Sequence, residues 1–324
     1  MQIADLITIA RQDYLYDVAQ PYRWSDEFLC RSFLEAERQS CNRWNLIFDS
    51  GQPVYQGQSL VSGLVVDNSG VDLIARPPST IISLLDGVST YSIDSKITYI
   101  QYIGIKVTQY KNGIYSTCRH EIHRKSLDEM NRAHPGWRNE TGVTVRHVNA
   151  IVRGRSLSLS RIPTASLDAT YIISLPTTTP NAGDTWWDGT QLYQYVNGAW
   201  IINPAAPLGY LNLEVYRLPI AYTADTGYIP EIAEEHHRNL IYWVMYEAYL
   251  RKDSDNTDPN SYDKERSSFG LQMFNDYFGK PVSASVRQHE LENNPNSNFH
   301  AHQYETSLSN GNAGFGYHGG HEDW

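Results

Sequence analysis

Pro21-Tyr22-Arg23-Trp24-Ser25-Asp26-Glu27-Phe28-Leu29 carries the local signals of a helix start. Ser25 is an N-cap residue, and Asp26 and Glu27 fall in the first turn, where carboxylates favour the exposed N–H groups. Trp24 and Leu29 stand at the spacing of a hydrophobic staple. The pattern predicts a helix running to about Trp44 and burying Leu29, Phe33, Ala36 and Ser40. Upstream, Ile3, Leu6, Ile7, Ala10 and Tyr14 recur at helical spacing, so a first helix is expected over 2–17, ended by Pro21. A counterpart lies far down the chain. Ile229-Pro230-Glu231 predicts a helix with Pro230 at its first position and a buried face of Leu240, Ile241, Val244, Met245 and Ala248. After a turn at 253–256, Asp258 and Pro259 read as the cap and first residue of a last helix to about Phe278, stopped by Gly279 and Pro281.

Between these helical ends the pattern changes. From about 52 to 220, β-branched and aromatic residues dominate, punctuated by Gly, Asn, Asp and Pro. Strands are expected over 59–66, 80–85, 98–109, 143–152, 156–162, 169–175 and 210–217. Asp86-Gly87, Asn112-Gly113 and Arg153-Gly154-Arg155 read as turns, and Ser126 with Glu129 as the capping box of a short helix. Residues 176–209 interrupt the β region, bracketed by Pro176, Pro180, Pro204 and Pro207. Inside, Asp188-Gly189 and Asn197-Gly198 are turn dipeptides among aromatic strands, which predicts a small inserted hairpin module.

The expected fold class is therefore α+β. A helical hub (1–50 and 228–280) holds a central antiparallel β domain (51–175 and 210–227). The inserted module (176–209) and an extended C-terminal tail (281–324) complete it. The tail is rich in Asn, Ser, Gly and His and poor in aliphatics, a composition expected to be flexible in the free protein.

Composition narrows the function. Apolar residues at 41% can build a core, while a formal net charge of −10 argues against general binding of nucleic-acid phosphates. Cys30, Cys41 and Cys118 make a poor disulfide framework: the first two share one helix about 16 Å apart, too far to bridge. All three read as reduced. No apolar run reaches the roughly 18 residues of a membrane span, and the N-terminus lacks a basic leader region.

Candidate chemistry is sparse. Gly314-Phe315-Gly316-Tyr317-His318-Gly319 matches the dinucleotide pattern literally but lacks the strand and helix that motif needs. His120-Glu121-Ile122-His123 and Glu234-Glu235-His236-His237 do not have the spacing of a zinc-binding helix. No nucleophile elbow, phosphate loop or catalytic-cysteine context is present, so neither an enzyme nor a cofactor is expected. The stretch 141–167 carries Arg146, Arg153, Arg155 and Arg161 and no acid, a candidate interface for an acidic neighbour or for DNA phosphates; solvated arginines at a hairpin tip are the plainer reading. Trp186, Trp187, Tyr193, Tyr195 and Trp200 are a candidate aromatic platform for sugars, or the module's own small core.

Taken in order, these segments resemble the head-to-tail adaptor (connector) proteins of tailed bacteriophages. The resemblance rests on several segments: Pro21–Leu29, Ser126-Leu127-Asp128-Glu129-Met130 leading to Pro135-Gly136-Trp137, and Arg217-Leu218-Pro219. It continues through Ile229-Pro230-Glu231-Ile232, Arg251-Lys252-Asp253-Ser254-Asp255, and a final helix with Phe269 and Phe274. It covers roughly 2–175 and 210–278. The insert departs from it and looks similar to short aromatic hairpins of phage fibre and collar proteins. The resemblance implies a structural virion protein of the neck, assembled in the host bacterial cytoplasm as a homo-oligomeric ring of about twelve. Its partners would be the portal protein above and a tail nozzle, other tail protein or tail fibre below. DNA would pass through without specific binding, and no membrane would be involved. The alternative is a virion collar protein that binds carbohydrate or a receptor through the aromatic insert.

Overall fold

The computed structural model describes residues 1–49, 80–111, 114–142, 148–220, 226–250, 263–283 and 285–286; for 107–111 and 114–120 it describes the backbone alone. The expected strand 59–66, the 253–256 turn, the residues Asn112-Gly113 and nearly all of the tail, including 314–319, lie outside the described residues.

The helices are α1 (Ile3–Ile9), continued by a π-helical turn over Ala10–Leu15, α2 (Asp26–Arg43), α3 (Leu127–Ala133), α4 (Ala165–Asp168), α5 (Glu234–His237), α6 (Ile241–Leu250) and α7 (Lys264–Phe278). The strands are β1 (Ile47–Asp49), β2 (Ile81–Leu84), β3 (Thr90–Ser92), β4 (Ile97–Lys111), β5 (Ile114–Glu121), β6 (His123–Arg124), β7 (Asn149–Arg153), β8 (Ser156–Leu159), β9 (Tyr171–Ile172), β10 (Thr185–Trp187), β11 (Leu192–Val196), β12 (Ala199–Ile202) and β13 (Gly209–Arg217). The chain is α+β, with mainly antiparallel sheets.

The N-terminal helices and the helices over 234–278 pack on one core. Ile3, Leu6, Ile7 and Ala10 meet Leu29, Phe33 and Ala36 of α2, Val244 and Ala248 of α6, and Phe274 and Phe278 of α7. Ser25 caps α2 as expected, its hydroxyl accepting from Phe28 N–H. Trp24 and Leu29 are both buried, and Trp24 Nε1 donates to Ala248 O at 3.3 Å. At the free start of α1, Ile3 N and Ala4 N donate to the carbonyls of Tyr228 and Thr226, each at 2.9 Å. A distant segment thus satisfies donors that a helix start leaves without an intrahelical partner. Gly270 lets α7 approach α6 closely: a Cβ there would stand 2.8 Å from Tyr242 O.

Two sheets enclose the second core. One has the order β1-β13-β4-β5, with β2 also on β13; the other has β3-β8-β7-β6. Ile100, Ile103, Ile105, Leu211, Leu213 and Val215 of the first meet Tyr91, Ala150, Val152, Leu157 and Leu159 of the second. The alternation along β13 delivers Leu211, Leu213 and Val215 to the same face. The third sheet, β12-β11-β10-β9, is the aromatic module.

Several expectations are corrected. The first helix ends at Leu15, before Pro21, where Tyr16 takes a left-handed conformation (φ 53°). The third helix does not begin at Pro230. Helix starts at Glu234, because Ala233 before it is extended (ψ 142°), while Glu231 and Ile232 are anchored outside the helix by the Glu37 carboxylate and Arg217. The last helix is capped by Asp263, whose Oδ1 accepts from Glu265 and Arg266 N–H, rather than by Asp258, which lies outside the described residues. Of the strand expected over 169–175, Tyr171–Ile172 alone is strand, and it joins the module by parallel pairing with β10. The strand expected over 143–152 is seen from Asn149; 143–147 lie outside the described residues. Strands β1, β3, β5 and β6 were not expected from the sequence. The turns at Asp86-Gly87 and Gly154, the Ser126-capped helix, the Asn197-Gly198 hairpin and the buried face of α6 are as expected.

Candidate functional site

The basic stretch divides. Arg153 is exposed at the end of β7. Arg155 is spent within the chain, its NH1 donating to Asp94 O at 3.1 Å and Ile97 O at 2.6 Å. Arg161 pairs with Glu140 at 3.0 Å. Arg146 lies outside the described residues. The described arginines thus differ in availability, and Arg153 is the one that an exposed partner would meet first.

The aromatic residues do not share one surface. Strand alternation puts Trp186, Tyr193, Tyr195 and Trp200 on one face of the module, since Trp186 stands opposite Tyr193 and Tyr195 opposite Trp200. Trp186 stacks on Tyr193 with ring centroids 4.9 Å apart, and Trp200 meets Trp186, Tyr195 and Tyr171 at 5.8, 5.2 and 5.9 Å. Trp187 is on the opposite face, packed against Ala165, Ala169, Leu192, Ala206 and Leu208. The four rings are half-buried against one another. They form a cluster with an open side rather than a row of free rings.

A third group was not singled out from the sequence. Glu37 of α2 is 1% exposed. Its Oε1 accepts from the N–H groups of Glu231 and Ile232, and its Oε2 lies 3.1 Å from Tyr228 Oη. Glu231 Oε2 accepts from Arg217 NH1 at 2.7 Å, and Arg217 Nε donates to Asp49 Oδ2 at 3.0 Å. This cluster ties α2, the end of β13, β1 and the approach to α5 into one junction. Burial raises the Glu37 carboxyl to about 8, with the Glu231 charge adding to the effect and the hydrogen bonds opposing it. Arg217 is held above its usual range: burial lowers its pKa, but Glu231 and Asp49 outweigh that. A signal existed: Glu37 follows Phe33 by one turn and precedes Cys41 by one turn on the buried face of α2.

Among the described residues no group of three or more His, Cys, Asp or Glu side chains could hold a metal ion, and no helix is long and apolar enough to cross a membrane. Cys30 and Cys41 are buried and not joined in a disulfide; burial pushes the Cys41 thiol well above its usual range, away from the reactive thiolate. No family model matches the chain, and no curated protein matches it.

Proposed function

We propose that the chain is a structural virion protein, a head-to-tail adaptor. It forms a ring of about twelve copies under a phage portal, joins capsid to tail and lines part of the DNA channel. One observation carries the reading: α1 and α2 close on α6 and α7 in a single core, with the β sandwich and the aromatic module attached between them. That is the order of parts the resemblance requires. In this reading the helical body is the ring-building hub, docked on the portal, and the sheets face outward or toward the tail. The net charge of −10 suits a channel through which DNA slides without being gripped.

The test is electron microscopy of the purified virion with this chain labelled. Label at the neck is expected; label on distal fibres or absence from the particle would overturn the reading. Charge reversal at Arg153 tests the basic stretch without disturbing the bonds Arg155 makes to Asp94 and Ile97. Arg153→Glu is expected to impair assembly, and unchanged virion yield would remove Arg153 from the interface.

A second reading is kept because of one feature of the module. The aromatic face lies in a stretch, 169–211, without a single Lys, Arg or His, which suits a neutral glycan better than a phosphorylated ligand. Glycan-array binding by the full chain, lost in Trp200→Ala, would favour a collar protein that recognises carbohydrate; no binding leaves the adaptor reading alone.

A further inference from the structure

The junction around Glu37 contains a proton-counting problem. Tyr228 Oη lies 3.1 Å from Glu37 Oε2 and 3.4 Å from Glu231 Oε1. A phenol has one proton, so it cannot donate fully to both carboxylates. With both acids ionised, one of the two contacts sets lone pairs against lone pairs inside the protein. A proton on Glu37 Oε2 resolves the conflict. Oε2–H then donates to Tyr228 Oη, the phenolic O–H donates to Glu231 Oε1, and Glu37 Oε1 keeps the N–H groups of Glu231 and Ile232. The charge balance points the same way. Arg217 bridges Glu231 and Asp49, and an ionised Glu37 would stand beside them with no Lys, Arg or His side chain paired to it among the described residues.

We propose that Glu37 and Glu231 share one proton through Tyr228, and that this proton latches the Tyr228–Ile232 segment, the entry to the C-terminal helices, onto α2 and β13. The latch reaches the other end of the chain. Tyr228 O and Thr226 O hold the first N–H groups of α1, and Ile232 O meets the buried His237 ring at 2.9 Å. Losing the proton loosens the segment and, with it, the seating of α1 beside α2.

The elevated Glu37 value agrees with this geometry. Tyr228 is driven far above the usual phenol range, by burial first and then by the charges of Glu37 and Glu231, so it keeps its proton throughout. The other groups facing the junction are Cys41 on α2, Asp49 on β1, Arg217 on β13, Lys96 just before β4 and His237 on α5. Burial lowers the Lys96 and His237 values. The sign follows from Glu37. Its carboxyl titrates near 4.5 when unfolded and about 8 when folded, so the native state holds the extra proton between those values. Stability is therefore lost as pH rises through that window. His237 acts in the opposite direction, so the effect is read as a difference between variants.

The test uses the full chain. Unfolding constants and hydrogen exchange of peptides over 3–9 and 226–237, corrected for intrinsic exchange, are followed from pH 5 to 9. In the wild type the unfolding constant is expected to rise by up to about tenfold per pH unit more steeply than in Glu37→Gln, with the same segments losing protection. The amide in Glu37→Gln keeps the carbonyl acceptor and donates permanently to Tyr228 Oη, so its profile is expected to be flat by comparison. Equal slopes in the two proteins would overturn the proposal. If the variant does not fold, carbon NMR of the glutamate carboxyls in the wild type decides. One resonance titrating well above the ordinary range supports the shared proton; every glutamate titrating within that range overturns it. Neither outcome depends on whether the chain forms a ring.

Discussion

The helical core and the aromatic module bury apolar side chains at opposite extremes of chain separation. In the core, Tyr249 Oη donates to Leu15 O across 234 positions, and Trp24 reaches Ala248 across 224. In the module, Trp186, Tyr193, Tyr195 and Trp200 meet through neighbouring hairpin strands. A core closed by distant segments forms only when both segments are in place, whereas local hairpins close at low loop entropy. Long-range closure fits a body that carries interfaces; local closure fits an attachment that could be added to a β scaffold without disturbing it.

Substitutions can break this contrast, starting with the largest effect. Phe274→Ala removes a fully buried ring that contacts Trp243 and Phe278, and is expected to destabilise the helical body by about 3–5 kcal/mol. Denaturant unfolding followed by hydrogen exchange should show 3–15 and 264–278 losing protection together. Independent loss would mean the two ends are not one cooperative unit. Gly270→Ala puts a Cβ 2.8 Å from Tyr242 O and 2.9 Å from Tyr246 N, for an expected cost of about 1–3 kcal/mol and a widened α6/α7 crossing. A neutral result would show that the close approach is not needed. Ser25→Ala deletes the α2 cap and should cost about 1 kcal/mol, recovered in large part by Ser25→Asp. Trp200→Ala should abolish the near-ultraviolet signal of the coupled module rings yet leave the helical transition within about 0.5 kcal/mol. A larger shift in the helical transition would couple the regions that the contrast separates.

How much of this was legible in the sequence follows the same division. Ser25, Trp24 and Leu29 announce α2 because capping and stapling are encoded within a few residues. Asn197-Gly198 announces its hairpin because the turn needs positive φ at both positions, and they have 51° and 84°. Pro230 and Glu231 satisfy a local rule for a helix start, but the chain is extended at Ala233 and helix begins only at Glu234, with Glu231 anchored to the distant Glu37. Strand β5 escaped because Ile114–Glu121 is mostly polar and is specified by its ladder with β4 rather than by alternation. The sharing of one aromatic face by four rings, with Trp187 excluded, needs the strand register, which the aromatic spacing alone does not supply. The Glu37 junction combines an acid in a buried helical stripe, visible in the sequence, with partners from β1, β13 and 228–232 that only the fold assembles.

In the proposed function, the helical body closed by α1, α2, α6 and α7 builds a ring. The decisive experiment is native mass spectrometry of the full chain co-expressed with a phage portal protein. A portal-bound assembly of about twelve copies is expected, reduced by Phe274→Ala and retained in Trp200→Ala. A monomer that ignores the portal, or an assembly lost with Trp200 and indifferent to Phe274, would contradict it.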